Sequence, residues 1–181
     1  MMDRVVIVPY DPEWPKTFAK LGLSLRNALG DIALRIDHIG STAIPGLAAK
    51  PTIDIQISVA SIEPVDPFRI PLASLGYEWK ADNPELTKRY FREKSGERNV
   101  HIHVRPGGSF REQYAILFRD YVRSHDQDAQ RYAELKYRFA DEFGEDRLGY
   151  ADAKAPLIWE IMRKADEWAA SIGWEPGPSD A

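Results

Sequence analysis

A chain of 181 residues, 44% hydrophobic and 29% charged, has the make-up of one ordinary globular domain with a sizeable core. Its formal net charge of -4 gives no overall field for nucleic acid, so DNA or RNA is not expected as a partner without a local basic patch. The absence of cysteine excludes disulfides, thiolate chemistry and any Cys-based zinc site, and no window approaches the ~20 apolar residues of a membrane span. With no charged leader ahead of a long apolar run, the expectation is a cytoplasmic protein without a membrane partner.

In chain order, Val5 to Val8 is a short apolar run before Pro9 and reads as a strand. Asp11-Pro12 then predicts a helix start. Trp14, Phe18, Leu21, Leu25 and Leu29 follow at three- and four-residue spacing, and Gly30 is the stop. Ala33 to Ile39 and Thr52 to Val59 predict the next two strands. Pro64, Pro67 and Pro71 break up the following segment, although Phe68, Leu72 and Leu75 suggest a short helix closed by Gly76. Thr87 to Lys94 and Asn99 to Arg105 predict two more strands, joined by a hairpin turn at Ser95-Gly96.

Beyond Pro106-Gly107-Gly108 the pattern turns helical. Ser109 with Glu112, and Ser124 with Gln127, have capping-box spacing ahead of two apolar stripes. A last helix is predicted from about Asp152 to Ile172, with Asp152 as its cap and Pro156 in an early turn. These elements form a single domain over 1–175 and a flexible tail over 176–181. The fold class is α+β: a small mixed β-sheet with packed helices and a three-helix C-terminal half. The hairpin argues against a wholly parallel sheet.

The chemistry concentrates around His38-Ile39-Gly40-Ser41-Thr42 and Lys50-Pro51-Thr52-Ile53-Asp54-Ile55-Gln56. A Gly-Ser turn between two strands offers backbone N–H groups and a hydroxyl to phosphate oxygens, and a carboxylate on the next strand can hold the accompanying divalent cation. Gly40, Ser41, Thr42 and Lys50 are therefore candidate phosphate ligands, although a solvated loop position, the other reading of Lys50, is the commoner fate of lysines. Alternation puts Asp54, Gln56 and Ser58 on one face of their strand, which lies either in water or in a cleft. His101 and His103 share a face in the same way. Such a pair can ligate a metal, bind substrate or move a proton, or can be one surface residue and one tied to a carbonyl. If the two strands adjoin, Asp54 and His103 could share a metal ion. Arg89 belongs to a basic, aromatic run on a strand, and Arg119 to a helix face with Asp120 and Arg123, each either solvated or an anion grip.

The segment 38–55 resembles the signature of the GrpB family. The resemblance continues through His101-Ile-His103, Leu117 to Arg123, Tyr132 to Lys136 and Tyr150 to Pro156, in order along nearly the whole chain. It implies a fold of the nucleotidyltransferase type found in DNA polymerase β. It further implies a function in which a nucleotidyl group passes from a nucleoside triphosphate to a small acceptor. Alternatively, it implies a catalytically degenerate domain that binds a nucleotide, a phosphorylated ligand or a partner protein, since the family also occurs fused to dephospho-CoA kinase. On that resemblance Gly40-Ser41 matches the turn that grips the triphosphate, and Asp54 matches the first metal-binding carboxylate. Gln56 stands where the second carboxylate belongs, and His101 or His103 is nearest to the third. The implied catalytic set is Asp54, Gln56, His101 and His103, with Asp54 and His103 toward a divalent metal (magnesium, manganese or zinc). His38, Arg89, Arg119 and Lys154 are further candidates for substrate contact. Partners implied are a nucleotide or phosphorylated small molecule, dephospho-CoA kinase, and a second copy of the chain on the aromatic-rich helical half.

Overall fold

The computed structural model describes residues 4–94 and 99–181. Its strands are β1 (Arg35–Ile39), β2 (Ile53–Val59), β3 (Tyr77–Trp79), β4 (Arg89–Glu93) and β5 (Val100–Pro106). Its helices are α1 (Glu13–Leu29), α2 (Asp66–Ser74), α3 (Phe110–Ser124), α4 (Asp126–Phe143) and α5 (Arg147–Ile172). The strands form one mixed sheet in the order β1-β2-β5-β4-β3. The β2–β5 pair is parallel and the others are antiparallel.

Alternation explains how the sheet is covered. Ile53, Ile55, Ile57 and Val59 of β2 face the same way as Val100, Ile102 and Val104 of β5, and all are buried against Trp14, Phe18, Leu25 and Leu29 of α1 and Phe68 and Leu72 of α2. Phe68 is 1% exposed and meets Phe91 edge to face, with ring centroids 6.1 Å apart. The opposite face carries Asp54, Gln56 and Ser58. Gln56 and Ser58 are fully buried, because the first turn of α3 lies over them. Gln56 Nε2 donates to the Glu112 carbonyl at 3.1 Å, and the Ser58 hydroxyl donates to the Glu112 carboxylate at 2.6 Å. A second apolar cluster joins α3, α4 and α5 to Ile44 and Leu47 of the β1–β2 loop.

Several local expectations are corrected. Val5 to Val8 adds no strand; Val8 makes an isolated bridge with Ala49. Neither capping box forms. Glu112 is drawn to Ser58 and to the Gly108 N–H, Ser109 Oγ is buried without a partner, and the Ser124 hydroxyl bonds back to the Asp120 carbonyl. The last helix begins at Arg147, where Asp146 caps the Gly149 N–H, so Asp152 is an exposed residue within it rather than its cap. The three-residue β3 has no counterpart in the sequence reading, being too short to show alternation. The Ser95-Gly96 turn lies outside the described residues.

Residues 176–181, read from composition as a tail, lie along the outer edge of β1. The Ser179 hydroxyl receives the Ile36 N–H, Asp180 receives the His38 N–H, and the Ala181 N–H reaches the Ile36 carbonyl. They cover a strand edge that would otherwise present open backbone groups.

Candidate functional site

The site begins at the turn after β1. Gly40 has φ 71° and ψ -173°, a conformation essentially reserved for glycine. A Cβ there would lie 2.7 Å from Asp54 Oδ2, so the missing side chain is what lets the turn rest on that carboxylate. The turn is tied down from below. The Thr42 hydroxyl gives its proton to the Thr52 carbonyl at 2.9 Å. Its oxygen therefore accepts from His38 Nε2, 3.0 Å away. Burial holds His38 down at about 4, so it is neutral, and its ring stacks on Phe18.

The β2–β5 register sets Asp54 opposite His101 and Gln56 opposite His103. Both rings turn to the one carboxylate: His101 Nδ1 is 3.4 Å and His103 Nε2 is 3.3 Å from Asp54 Oδ1. Burial alone would raise the Asp54 carboxyl, but the hydrogen bonds from His101 and His103 outweigh it and hold the group well below the usual carboxylate range. Burial lowers His103, against the pull of Asp54. Tyr90 of β4 packs beside both rings, its centroid 5.7 Å from His101 and 5.3 Å from His103.

Above this floor is a cavity of about 140 Å³. Ser41, Thr42, Lys50, Thr52, Asp54 and His101 line it on the sheet side, and Lys136 of α4 with Tyr150 and Lys154 of α5 close the other side. Lys136 Nζ donates to the Ala48 carbonyl and lies 4.5 Å from the Tyr132 ring centroid; Lys154 Nζ lies 4.1 Å from that of Tyr150. Burial pushes Lys136 down to about 7 and Lys154 to about 8, and the two ammonium groups disfavour each other's neighbourhood further in the case of Lys136. Three lysines thus converge near one carboxylate, an arrangement that attracts anions.

The structure brings Ser41, Thr42, Lys50, Asp54, His101 and Lys154 to this cavity, with Gly40 and His103 against Asp54. It places the other candidates elsewhere. Gln56 is buried under α3. His38 is 4% exposed and engaged by Thr42. Arg119 is buried behind β1, donating to the His38 carbonyl and to Asp180. Arg89 pairs with Glu63 at a separate depression with Trp79 and Lys80. Lys136 and Tyr150 were not among the candidates. Their signal was present: Tyr132-Lys136 and Tyr150-Lys154 repeat one i, i+4 Tyr–Lys spacing, and Lys136 interrupts an inward-facing stripe.

A pair of magnesium ions does not fit these residues. Such a pair needs several anionic oxygens, whereas the site offers one carboxylate and two imidazoles. Imidazoles that hold metals normally anchor their second nitrogen on an acceptor, yet His101 Nε2 and His103 Nδ1 are buried without a partner. Among the described residues, no group of three His, Cys, Asp and Glu side chains has the arrangement of a metal site.

A family model described as GrpB protein matches residues 4–164. A UPF0157 protein of Pseudomonas aeruginosa is 38% identical over 169 residues, covering 90% of this chain and 68% of that protein. A dephospho-CoA kinase of Mycolicibacterium paratuberculosis is 33% identical over 95% of this chain, which spans 48% of the kinase's length. The crystal structure of the conserved protein GrpB from Enterococcus faecalis superposes with a TM-score of 0.82 at 30% identity, over 90% of this chain and 99% of that one. Terminal uridylyl transferase 4 from Trypanosoma brucei, with bound UPU, aligns with a TM-score of 0.51 at 10% identity, over 82% of this chain and 53% of that one. That likeness places the fold among the nucleotidyltransferases.

Proposed function

The chain belongs to the GrpB family, and from that premise we propose that its cavity binds the phosphate groups of a nucleotide or another phosphorylated small molecule. The observation that carries this reading is the convergence of Lys50, Lys136 and Lys154 on the Gly40-Ser41 turn. Anions are held by this combination of backbone N–H groups, hydroxyls and cations. At about 140 Å³ the cavity is smaller than the 300–1,000 Å³ typical of sites that enclose a whole small molecule, so it takes a phosphate head and leaves the rest of the ligand outside. The dephospho-CoA kinase relatives that contain a stretch similar to this chain support a regulatory or chaperone-like role beside such an enzyme. Among the described residues no helix is long and apolar enough to cross a membrane.

One observation favours a second reading, nucleotidyl transfer. Asp54 sits beside the turn with both His101 and His103 on the same oxygen. In that reading Asp54 with His103 binds a divalent cation, and His101 or His103 takes the proton of the acceptor.

The test is thermal stability of the purified protein against a panel of nucleoside triphosphates, diphosphates, dephospho-CoA and CoA. Each is tried in EDTA and with magnesium, manganese or zinc. A ligand at about a hundred times its Kd adds ~2.7 kcal/mol, a shift of several degrees. A shift lost in Lys154→Gln supports phosphate binding. Release of pyrophosphate from a triphosphate supports transfer. No shift with any phosphorylated compound refutes both readings.

A further inference from the structure

We propose that the phosphate-bearing ligand of this cavity is held without a divalent cation, its charge met by Lys136 of α4 and Lys154 of α5 together with Lys50. The inference rests on the phosphate-binding reading and concerns how the charge is balanced.

The first argument is from the donor set. The carboxylate that would anchor a cation is already the shared acceptor of two imidazoles, and the neighbouring position is an amide whose N–H group is used by the Glu112 carbonyl. Little negative charge is left with which to concentrate a cation. The second argument is from Lys136. Its side chain is 2% exposed, and the charged group that bears on it is another lysine, Lys154. A buried lysine is ordinarily tolerated because a carboxylate faces it. Around Lys136 the structure supplies the Ala48 carbonyl and the face of Tyr132 instead. Those groups orient an ammonium without neutralising it. Lys154 repeats the arrangement over Tyr150, at the same cavity, where the carboxylate that bears on it is Asp54. Burial lowers both amines toward neutrality, and for Lys154 it does so against the pull of Asp54. A phosphate entering between them restores the missing charge, and in a dry site such charge-assisted contacts are strong.

The two ways of balancing charge predict opposite signs at Asp54. If a cation bridges ligand and protein, removing the carboxylate abolishes binding. If lysines hold the anion directly, the carboxylate only repels it, and Asp54→Asn strengthens binding.

The experiment is calorimetric titration of the intact chain with ATP, and with inorganic pyrophosphate, in EDTA and then with excess magnesium or manganese. The expected result is binding in EDTA that magnesium weakens, because magnesium neutralises the anion the lysines recognise. Asp54→Asn should tighten it roughly threefold to tenfold. Lys136→Gln and Lys154→Gln should each weaken it by about tenfold or more, as expected for losing a hydrogen bond to a charged group. Melting curves of each variant identify any that are unfolded, and Lys154→Gln, at a half-buried position, serves if Lys136→Gln is one of them. Binding seen only with a metal, or lost in a folded Asp54→Asn protein, overturns the inference and leaves the phosphate-binding reading standing. Absence of binding in every condition overturns both.

Discussion

Replacing Gly40 with alanine tests the contact on which the geometry of the cavity depends. Two separable costs arise. The backbone at φ 71°, ψ -173° is open essentially to glycine alone, and a non-glycine residue there costs about 1–3 kcal/mol wherever it occurs. The added methyl would also lie 2.7 Å from Asp54 Oδ2, closer than carbon and oxygen approach, and a tight 3.2 Å from its Cγ. Relief requires the carboxylate to move, which stretches the hydrogen bonds from His101 and His103, worth about 1.5–3 kcal/mol each when the acceptor is charged. Gly40→Ala should therefore destabilise the protein by about 2–4 kcal/mol in urea denaturation. A double-mutant cycle with Asp54→Ala separates the parts, since it removes the clash with Oδ2 and Cγ and leaves the backbone strain. The Gly40→Ala cost should fall by ~1 kcal/mol or more in the Asp54→Ala background. Equal costs in both backgrounds, or a cost under ~0.5 kcal/mol in the parent, would refute the claim that the turn rests on the carboxylate.

Lys136→Met addresses the buried amine through pH. Its folded pKa, about 7, lies below the 10.5 of an ordinary lysine, so the unfolded chain binds more protons between those values and parent stability rises with pH across that window. The methionine variant lacks this rise, so its stability relative to the parent is highest below pH 7. That relative stability should decline by an amount on the order of a few kcal/mol by pH 10; urea curves showing the same difference at pH 6 and pH 10 would contradict this. Glu112→Ala strips the acceptor from the buried Ser58 hydroxyl and the Gly108 N–H, and should cost about 2–4 kcal/mol by denaturant titration. Asp180→Ala should cost about 1–3 kcal/mol and raise hydrogen exchange at the His38 amide, because Asp180 accepts from that N–H and from Arg119. Unchanged exchange at that amide would mean that the 176–181 segment does not cover the β1 edge in solution.

What was legible in the sequence follows from how local each signal is. Alternation over seven residues marks β2 and β5 and fixes which side chains share a face. Once the two strands adjoin in parallel, Asp54, His101 and His103 have to meet. Helical spacing and Gly30 mark α1 in the same way. The capping boxes show where local reading loses to tertiary competition. Ser109-x-x-Glu112 has the correct spacing, but Ser58, 54 residues away in the chain, takes the carboxylate, and the Ser109 hydroxyl is left buried without a partner. The His38, Arg89 and Arg119 side chains show the converse. Their charge or polarity suggested substrate, and each is answered within the protein: His38 by Thr42 in the turn just after it, Arg89 and Arg119 by the distant Glu63 and Asp180.

Lys136 and Lys154 reverse that relation, and this is why they carry the functional argument. A charge that the fold neutralises has a structural explanation in the fold itself. No local motif places Lys136; it is held by the packing of α4 against the β1–β2 loop, where its Nζ meets the carbonyl of Ala48, 88 positions earlier in the chain. Nothing in that contact cancels its charge. Tyr–Lys pairs at i, i+4 on two different helices bring two such cations to one cavity. Stability alone would favour apolar side chains of similar volume at positions this buried. An anion entering from outside supplies the balance that the fold leaves out, and the Gly40-Ser41 turn, resting on Asp54, fixes where that anion enters.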